Sequence, residues 1–243
     1  ASIPKALHAP LEDTFLLHSN PGAEQILYLD FDGYRWDWGE LTPFNMDGHP
    51  NTFDAEERTV IQDTWWAVAE DFFPFNIDVT TEEPPEGFLG QRTVIDGSHL
   101  YDYSWAYLGA WADTDGEIAY AYPGPNTWEW ICHSISHEVG HALDLVHDGR
   151  YLEDWTQEYY TGHGTGDTEW CPIMGWGAWS LNTWDKGEYS LTTRPNQDDL
   201  ATIDAVTGVD FREDDHGSDT DSATAITLSG SLEIVAEGII EKR

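Results

Sequence analysis

Lysine is almost missing from this 243-residue sequence: three occur, within a total of 10 Lys and Arg set against 46 Asp and Glu, for a formal net charge of −36. So negative a chain repels phosphate backbones and anionic lipid, which argues against nucleic acid and against a bilayer surface as partners. Cysteine is scarce too, with Cys132 and Cys171 the only two, too few for a disulfide framework. No run of 18 apolar residues exists, so nothing reads as a membrane span. No basic-then-apolar leader is visible, and Ala1 is compatible with a mature N-terminus. Internal repeats are absent. What is present is apolar mass: 40% hydrophobic residues with 13 Trp, 11 Tyr and 9 Phe, which suits a packed interior rather than disorder. The length fits one large domain, or a domain plus a fragment. The acidity itself has three readings: solubility in a salty medium, calcium binding, or an extracellular surface that repels acidic polymers.

Periodicity places the elements. QILYLDF (25–31) reads as a strand running into the Asp32-Gly33 turn. Residues 54–72 carry Val60, Ile61, Thr64, Trp65, Val68 and Phe72 at helical spacing, with Thr52 or Asp54 as cap. FNIDVTT (75–81) alternates like a half-buried strand, and 92–95 and 117–122 are further strand candidates. The pattern is helical again over 129–144, irregular over 149–194, and helical once more over 195–206. After Phe211 the chain turns acidic and polar. We therefore expect a domain over 1–212, followed by 213–243 as a linker and the start, or a docked fragment, of a C-terminal accessory module. Two short strands are expected within 223–240, since about 30 residues cannot bury a core alone.

The chemistry concentrates in His137-Glu138-Val139-Gly140-His141, with His147 six residues on. Histidines four apart on a helix project from one face and can place two nitrogens about 2.0–2.1 Å from one zinc ion. If the helix stops near Asp144, the chain can fold back and present His147 as a third ligand. Three histidines leave a fourth position for water, and Glu138 beside the first ligand can serve as its base. Composition alone would produce the full three-histidine pattern with a probability of roughly 0.001.

These residues resemble the metzincin zinc metallopeptidases, whose pattern H-E-x-x-H-x-x-G-x-x-H is followed by a Met-turn. Cys171-Pro172-Ile173-Met174-Gly175 looks like that turn, and LYLDFDG (27–33), SHEVGHALDLVHDG (136–149), YYTGHG (159–164) and NQDDLA (196–201) are similar to secreted, matrixin-like bacterial members. The resemblance implies an α+β fold: a twisted mixed sheet on a backing helix and an active-site helix, with an irregular C-terminal part. It implies a secreted zinc endopeptidase acting on polypeptide, with His137, His141 and His147 as ligands, Glu138 as general base, Met174 beneath the metal and Asp148 in a structural role. A non-catalytic, secreted metal-binding adhesion module is the rival reading. Two departures stand out. The family's turn glycine is Asp144 here, so some strain is expected there. The position two after Met174, a tyrosine ligand in some members, is Trp176, which cannot ligate.

Further expectations attach to single residues. His133 shares the face of His137 and reads as a structural or substrate-facing residue rather than a fourth ligand. A Cys132–Cys171 disulfide is expected to tie the helix to the Met-turn in an oxidising setting. Asp113, Asp115 and Glu117, and separately Asp30 and Asp32, crowd carboxylates beside a Gly turn and are candidates for calcium. His163 reads as a loop residue. Substrate preference and oligomeric state are not legible.

Overall fold

The computed structural model describes residues 7–36, 39–98, 100–112, 118–177, 181–213 and 221–224. The chain divides into two units, Ala1–Asp210 and Phe211–Arg243. All elements named below belong to the first, and the strands expected within 223–240 fall almost wholly outside the described residues.

Strand β1 (Gln25–Asp30) is the centre of the sheet. Short strands β2 (Tyr34–Trp36) and β3 (Gly39–Leu41) form an antiparallel hairpin after it. Helix α1 (Ala55–Asp71) follows, then β4 (Ile77–Thr80), β5 (Leu89–Ile95), β6 (Ile118–Ala121) and helix α2 (Trp128–Ala142). The main sheet runs β4-β1-β5-β6 and is parallel throughout, not mixed as expected. Antiparallel pairing onto this sheet comes only from isolated bridges at its two edges, His18 with Thr80 and Trp105 with Tyr120, among the described residues. The molecule is thus a mixed α/β fold whose sheet packs against α1 and α2.

Sequence explains these elements locally. Asp54 caps α1 by accepting from the Glu56 and Glu57 amides, and Glu57 reaches back to the Asp54 amide to complete a capping box. Ile61, Trp65 and Val68 turn one face of α1 into the core, each contributing about 1.5–3 kcal/mol of burial. Strand β4 departs from the half-buried pattern its alternation suggested, being buried at every position. The cause is Asp78, whose carboxylate accepts from the Ser19 and Asn20 amides and meets His18 Nδ1 at 2.6 Å. The polar face is therefore covered by the 18–20 segment instead of by water.

After α2 the chain is irregular, as expected for 149–194. It makes the small hairpin β7 (Arg150–Tyr151) and β8 (Thr156–Gln157), and the parallel pair β9 (Trp170–Pro172) and β10 (Leu181–Thr183). Helix α3 (Asp199–Asp204), capped by Asp198, closes the unit. No described helix is long and apolar enough to cross a membrane.

Candidate metal centre

Helix α2 ends where the site needs it to. The Asp144 amide donates to the His141 carbonyl at 3.0 Å and the Leu145 amide to the Gly140 carbonyl at 2.9 Å. This pair of bonds closes a Schellman motif, which requires a left-handed residue at its turn. Asp144 fills that position with φ of 72°, so the turn forms although the glycine is missing. The reversal carries the chain back, and His147 returns to the face that presents His137 and His141.

The ligand atoms of the three histidines lie within 4.8 Å of one another, the one such group of three His, Cys, Asp or Glu among the described residues. Each ring is oriented from behind. His137 Nδ1 donates to the Ile173 carbonyl at 2.9 Å, His141 Nδ1 to the Leu145 carbonyl at 2.8 Å, and His147 Nδ1 to the Glu158 carboxylate at 2.9 Å. Carbonyl and carboxylate oxygens only accept, so every Nδ1 carries the proton and every Nε2 is left with a lone pair. Nε2 of His141 and Nε2 of His147 then face each other 3.0 Å apart. Two lone pairs at that distance repel unless a cation lies between them. Burial and the neighbouring rings push His137 well below the ordinary imidazole range, and burial lowers His141 as well, which disfavours a proton on either of these two rings near neutrality. The arrangement fits a metal ion, and three imidazole nitrogens suit zinc, copper, iron or nickel over calcium or magnesium.

Glu138 lines the same cavity, which has a volume of about 630 Å³ and is also bounded by Trp105, Tyr122, Trp130, His133, Tyr159 and Trp176. Burial pushes the Glu138 carboxyl up to about 8; a divalent cation alongside would act in the opposite direction. Beneath the helix, Met174 is fully buried and packs on Gly140, where an added β-carbon would lie 2.4 Å from Sδ. The turn that carries Met174 is tied to the ligand His137 through the Ile173 carbonyl and to Asp148, the residue after His147, whose amide donates to the Met174 carbonyl at 2.8 Å. Asp148 is buried and both its carboxylate oxygens lack a hydrogen-bond partner. Burial, with Asp199 and Asp185 nearby, raises its carboxyl to about 8.

Other expectations did not converge on the site. The disulfide is overturned: Cys132 and Cys171 are both free and buried. Five residues before His137, Cys132 lies about 140° round the helix from it and faces α1, its Sγ 3.6 Å from Asp71 Oδ2. Cys171 instead meets the Tyr160 carbonyl at 3.3 Å. Asp30 already has a cationic partner, Arg92 at 2.5 Å, while Asp32 is exposed. Asp113, Asp115 and Glu117 lie outside the described residues. His163 bridges to Trp170 in the irregular region, away from the three ligands. His133 is buried on the ligand-bearing helix but is not one of the cluster. Sequence reasoning missed Glu158, and it missed Tyr159, whose ring lies tilted against that of His147 with centroids 4.2 Å apart. Both lie in a stretch without periodicity; Tyr159 opens the YYTGHG segment (159–164), and nothing in the sequence marked Glu158.

No protein-family model matches this chain, and no curated protein is significantly similar to it.

Proposed function

We propose that this chain is a zinc-dependent endopeptidase of metzincin type, acting outside the cell. The observation that carries the reading is the convergence of three Nε2 lone pairs whose Nδ1 protons are all committed elsewhere, beside a buried carboxyl in an open cavity. His137, His141 and His147 would hold the ion. Bound zinc would supply a water with its pKa lowered to about 7 and would polarise a carbonyl.

The remaining chemistry belongs to the chain. Glu138 accepts the proton of the attacking water and returns it to the departing amine nitrogen. Its apolar surroundings favour the protonated carboxyl needed for that second transfer. The Ile173 and Leu145 carbonyls and Glu158 hold the three rings in one tautomer, so the geometry is set before substrate arrives. The cavity beside the three histidines is lined with the aromatic rings of Trp105, Tyr122, Trp130, Tyr159 and Trp176.

The test is casein digestion by zinc-loaded protein with and without a chelator, alongside Glu138→Ala. Chelator-sensitive cleavage that Glu138→Ala loses while keeping its zinc supports the reading. Zinc binding without such cleavage would favour a non-catalytic metal-holding module.

A further inference from the structure

Positive charge is scarce enough in this chain that each described cation can be traced: 10 Lys and Arg stand against 46 Asp and Glu. Arg35, Arg92 and Lys186 each sit against carboxylates. Arg58 donates to two backbone carbonyls, and Arg150 lies over the Tyr160 ring. Arg194 is different. It is exposed, and its guanidinium makes no hydrogen bond or ion pair. Its charge reaches the buried Asp148 only at a distance.

Arg194 lines a second cavity, of about 780 Å³. His141 and His147 bound this cavity and the first one alike, so the two meet at the candidate metal centre. Arg194 is the one Lys or Arg in the wall, and Glu158 the one carboxylate. Glu158 is already engaged, accepting from His147 Nδ1 at 2.9 Å. The main chain at Arg194 is anchored to the segment that carries the third ligand. The Thr193 amide donates to the Gly149 carbonyl at 2.9 Å, and the Gly149 amide to Thr193 Oγ1 at 3.1 Å. The Arg194 carbonyl accepts from the Gln197 amide at 3.1 Å, and the Gln197 side chain donates to the Val146 carbonyl at 3.0 Å. Val146 and Gly149 flank His147, so the backbone of Arg194 is held in register with that ligand.

An unpaired guanidinium selects an anion, and its planar fork matches a carboxylate. Polypeptide offers carboxylates on Asp and Glu side chains and at its C-terminus. We propose that this second cavity is a subsite for a carboxylate of the peptide substrate, received by Arg194. The inference rests on the peptidase reading and names its substrate class. A chain of net charge −36 repels acidic polypeptide as a whole, so the preference is confined to the one position that Arg194 reaches.

Two measurements test it. The first is cleavage by the zinc-loaded chain of a library of peptides blocked at both ends, with cut sites read by mass spectrometry. Glu or Asp should recur at one fixed position relative to the cut bond, cleaved about fivefold faster than the Gln or Asn counterpart. That ratio should fall toward one in about 1 M salt, where screening acts within about 3 Å. The same peptides with a free C-terminus separate the two sources: removal of C-terminal residues, with no acidic preference in the blocked set, assigns the cavity to the terminal carboxylate. Arg194→Gln should erase whichever preference is found, and Arg194→Glu should turn it toward Lys and Arg. The position is exposed, so both variants should fold as the parent does. Chelator-sensitive cleavage indifferent to carboxylates, or a preference that survives in Arg194→Gln, overturns the subsite and leaves the peptidase reading intact.

The second measurement is binding to the metal-free protein, followed by ligand-observed NMR. Its probes are a blocked Glu peptide, the blocked Gln counterpart, and that counterpart with a free C-terminus. At least one carboxylate peptide should bind about fivefold tighter than the blocked Gln peptide, and all three should bind Arg194→Gln equally. If zinc binds and no peptide is cut, the peptidase reading falls and these ratios alone decide the carboxylate site. Equal binding of all three to the parent chain overturns it.

Discussion

Met174 Sδ rests on Gly140 so closely that a β-carbon at residue 140 would fall 2.4 Å from it. Gly140 stands between His137 and His141 in the sequence, and Met174 lies on the turn whose Ile173 carbonyl orients His137. Gly140→Ala must push the thioether aside, and overpacking of a tight core contact costs typically about 1–3 kcal/mol. We expect a lower denaturation midpoint and weaker metal binding together. A variant with full stability and full affinity would show that the contact is slack.

Asp144 is the second place where one residue governs a ligand. Its φ of 72° is held by the two bonds that end α2, and His147 follows three residues later. A β-branched side chain tolerates that conformation poorly, so Asp144→Val is expected to lose about 1–2 kcal/mol and some metal affinity. Asp144→Gly restores the unstrained residue at the expense of a more flexible unfolded chain, and its stability should stay within about 1 kcal/mol of the parent. Chemical denaturation of the metal-free proteins, paired with zinc titration, separates the two outcomes. Equal effects from Val and Gly would mean that the turn is not set by residue 144.

Much of this was legible because local rules and tertiary structure agree. The cap at Thr52 or Asp54, the helix over 129–144 and the histidine spacing are all short-range signals, and the structure has Asp54 as the cap, a helix over 128–142 and the three histidines together. What stayed hidden is long-range. Asp78 looks like a solvent-facing position until the 18–20 segment covers it. Cys132 and Cys171 look like partners until helix phase turns Cys132 toward Asp71, while Cys171 in β9 meets the Tyr160 carbonyl. Glu158 acquires its role from where an aperiodic loop ends up, which no spacing encodes.

Glu158 is the one outer partner of the histidines that is a side chain, since the other two are backbone carbonyls. It can therefore be removed without disturbing the main chain. Loss of such a partner typically lowers metal affinity 10–100-fold, and we expect that range for Glu158→Ala. Glu158→Gln keeps an acceptor for the His147 Nδ1 proton but loses the charge, so its affinity should fall between the two. Competition with a chromophoric chelator gives the order directly. Identical affinity in all three proteins would place Glu158, which is mostly exposed, outside the metal site altogether.

Asp71, at the end of α1, accepts from Ser136 Oγ at 2.6 Å and meets Cys132 Sγ at 3.6 Å. Burial pushes its carboxyl up to about 7, with those two hydrogen bonds acting the other way. An unfolded aspartate titrates near 3.9. Between roughly pH 4 and pH 7 the folded chain thus holds a proton that the unfolded chain has released, and stability falls as pH rises through that window. The depressed histidines His137 and His141 act with the opposite sign, removing stability as pH drops through about 6.5. Asp71→Asn isolates the carboxylate, because it cannot ionise yet still offers an oxygen to Ser136. The stability of Asp71→Asn relative to the parent should therefore be greater at pH 8 than at pH 5, measured by urea denaturation of the metal-free proteins. An offset that is the same at both values would mean that Asp71 titrates as it does in water and that its contact with Ser136 leaves it solvated.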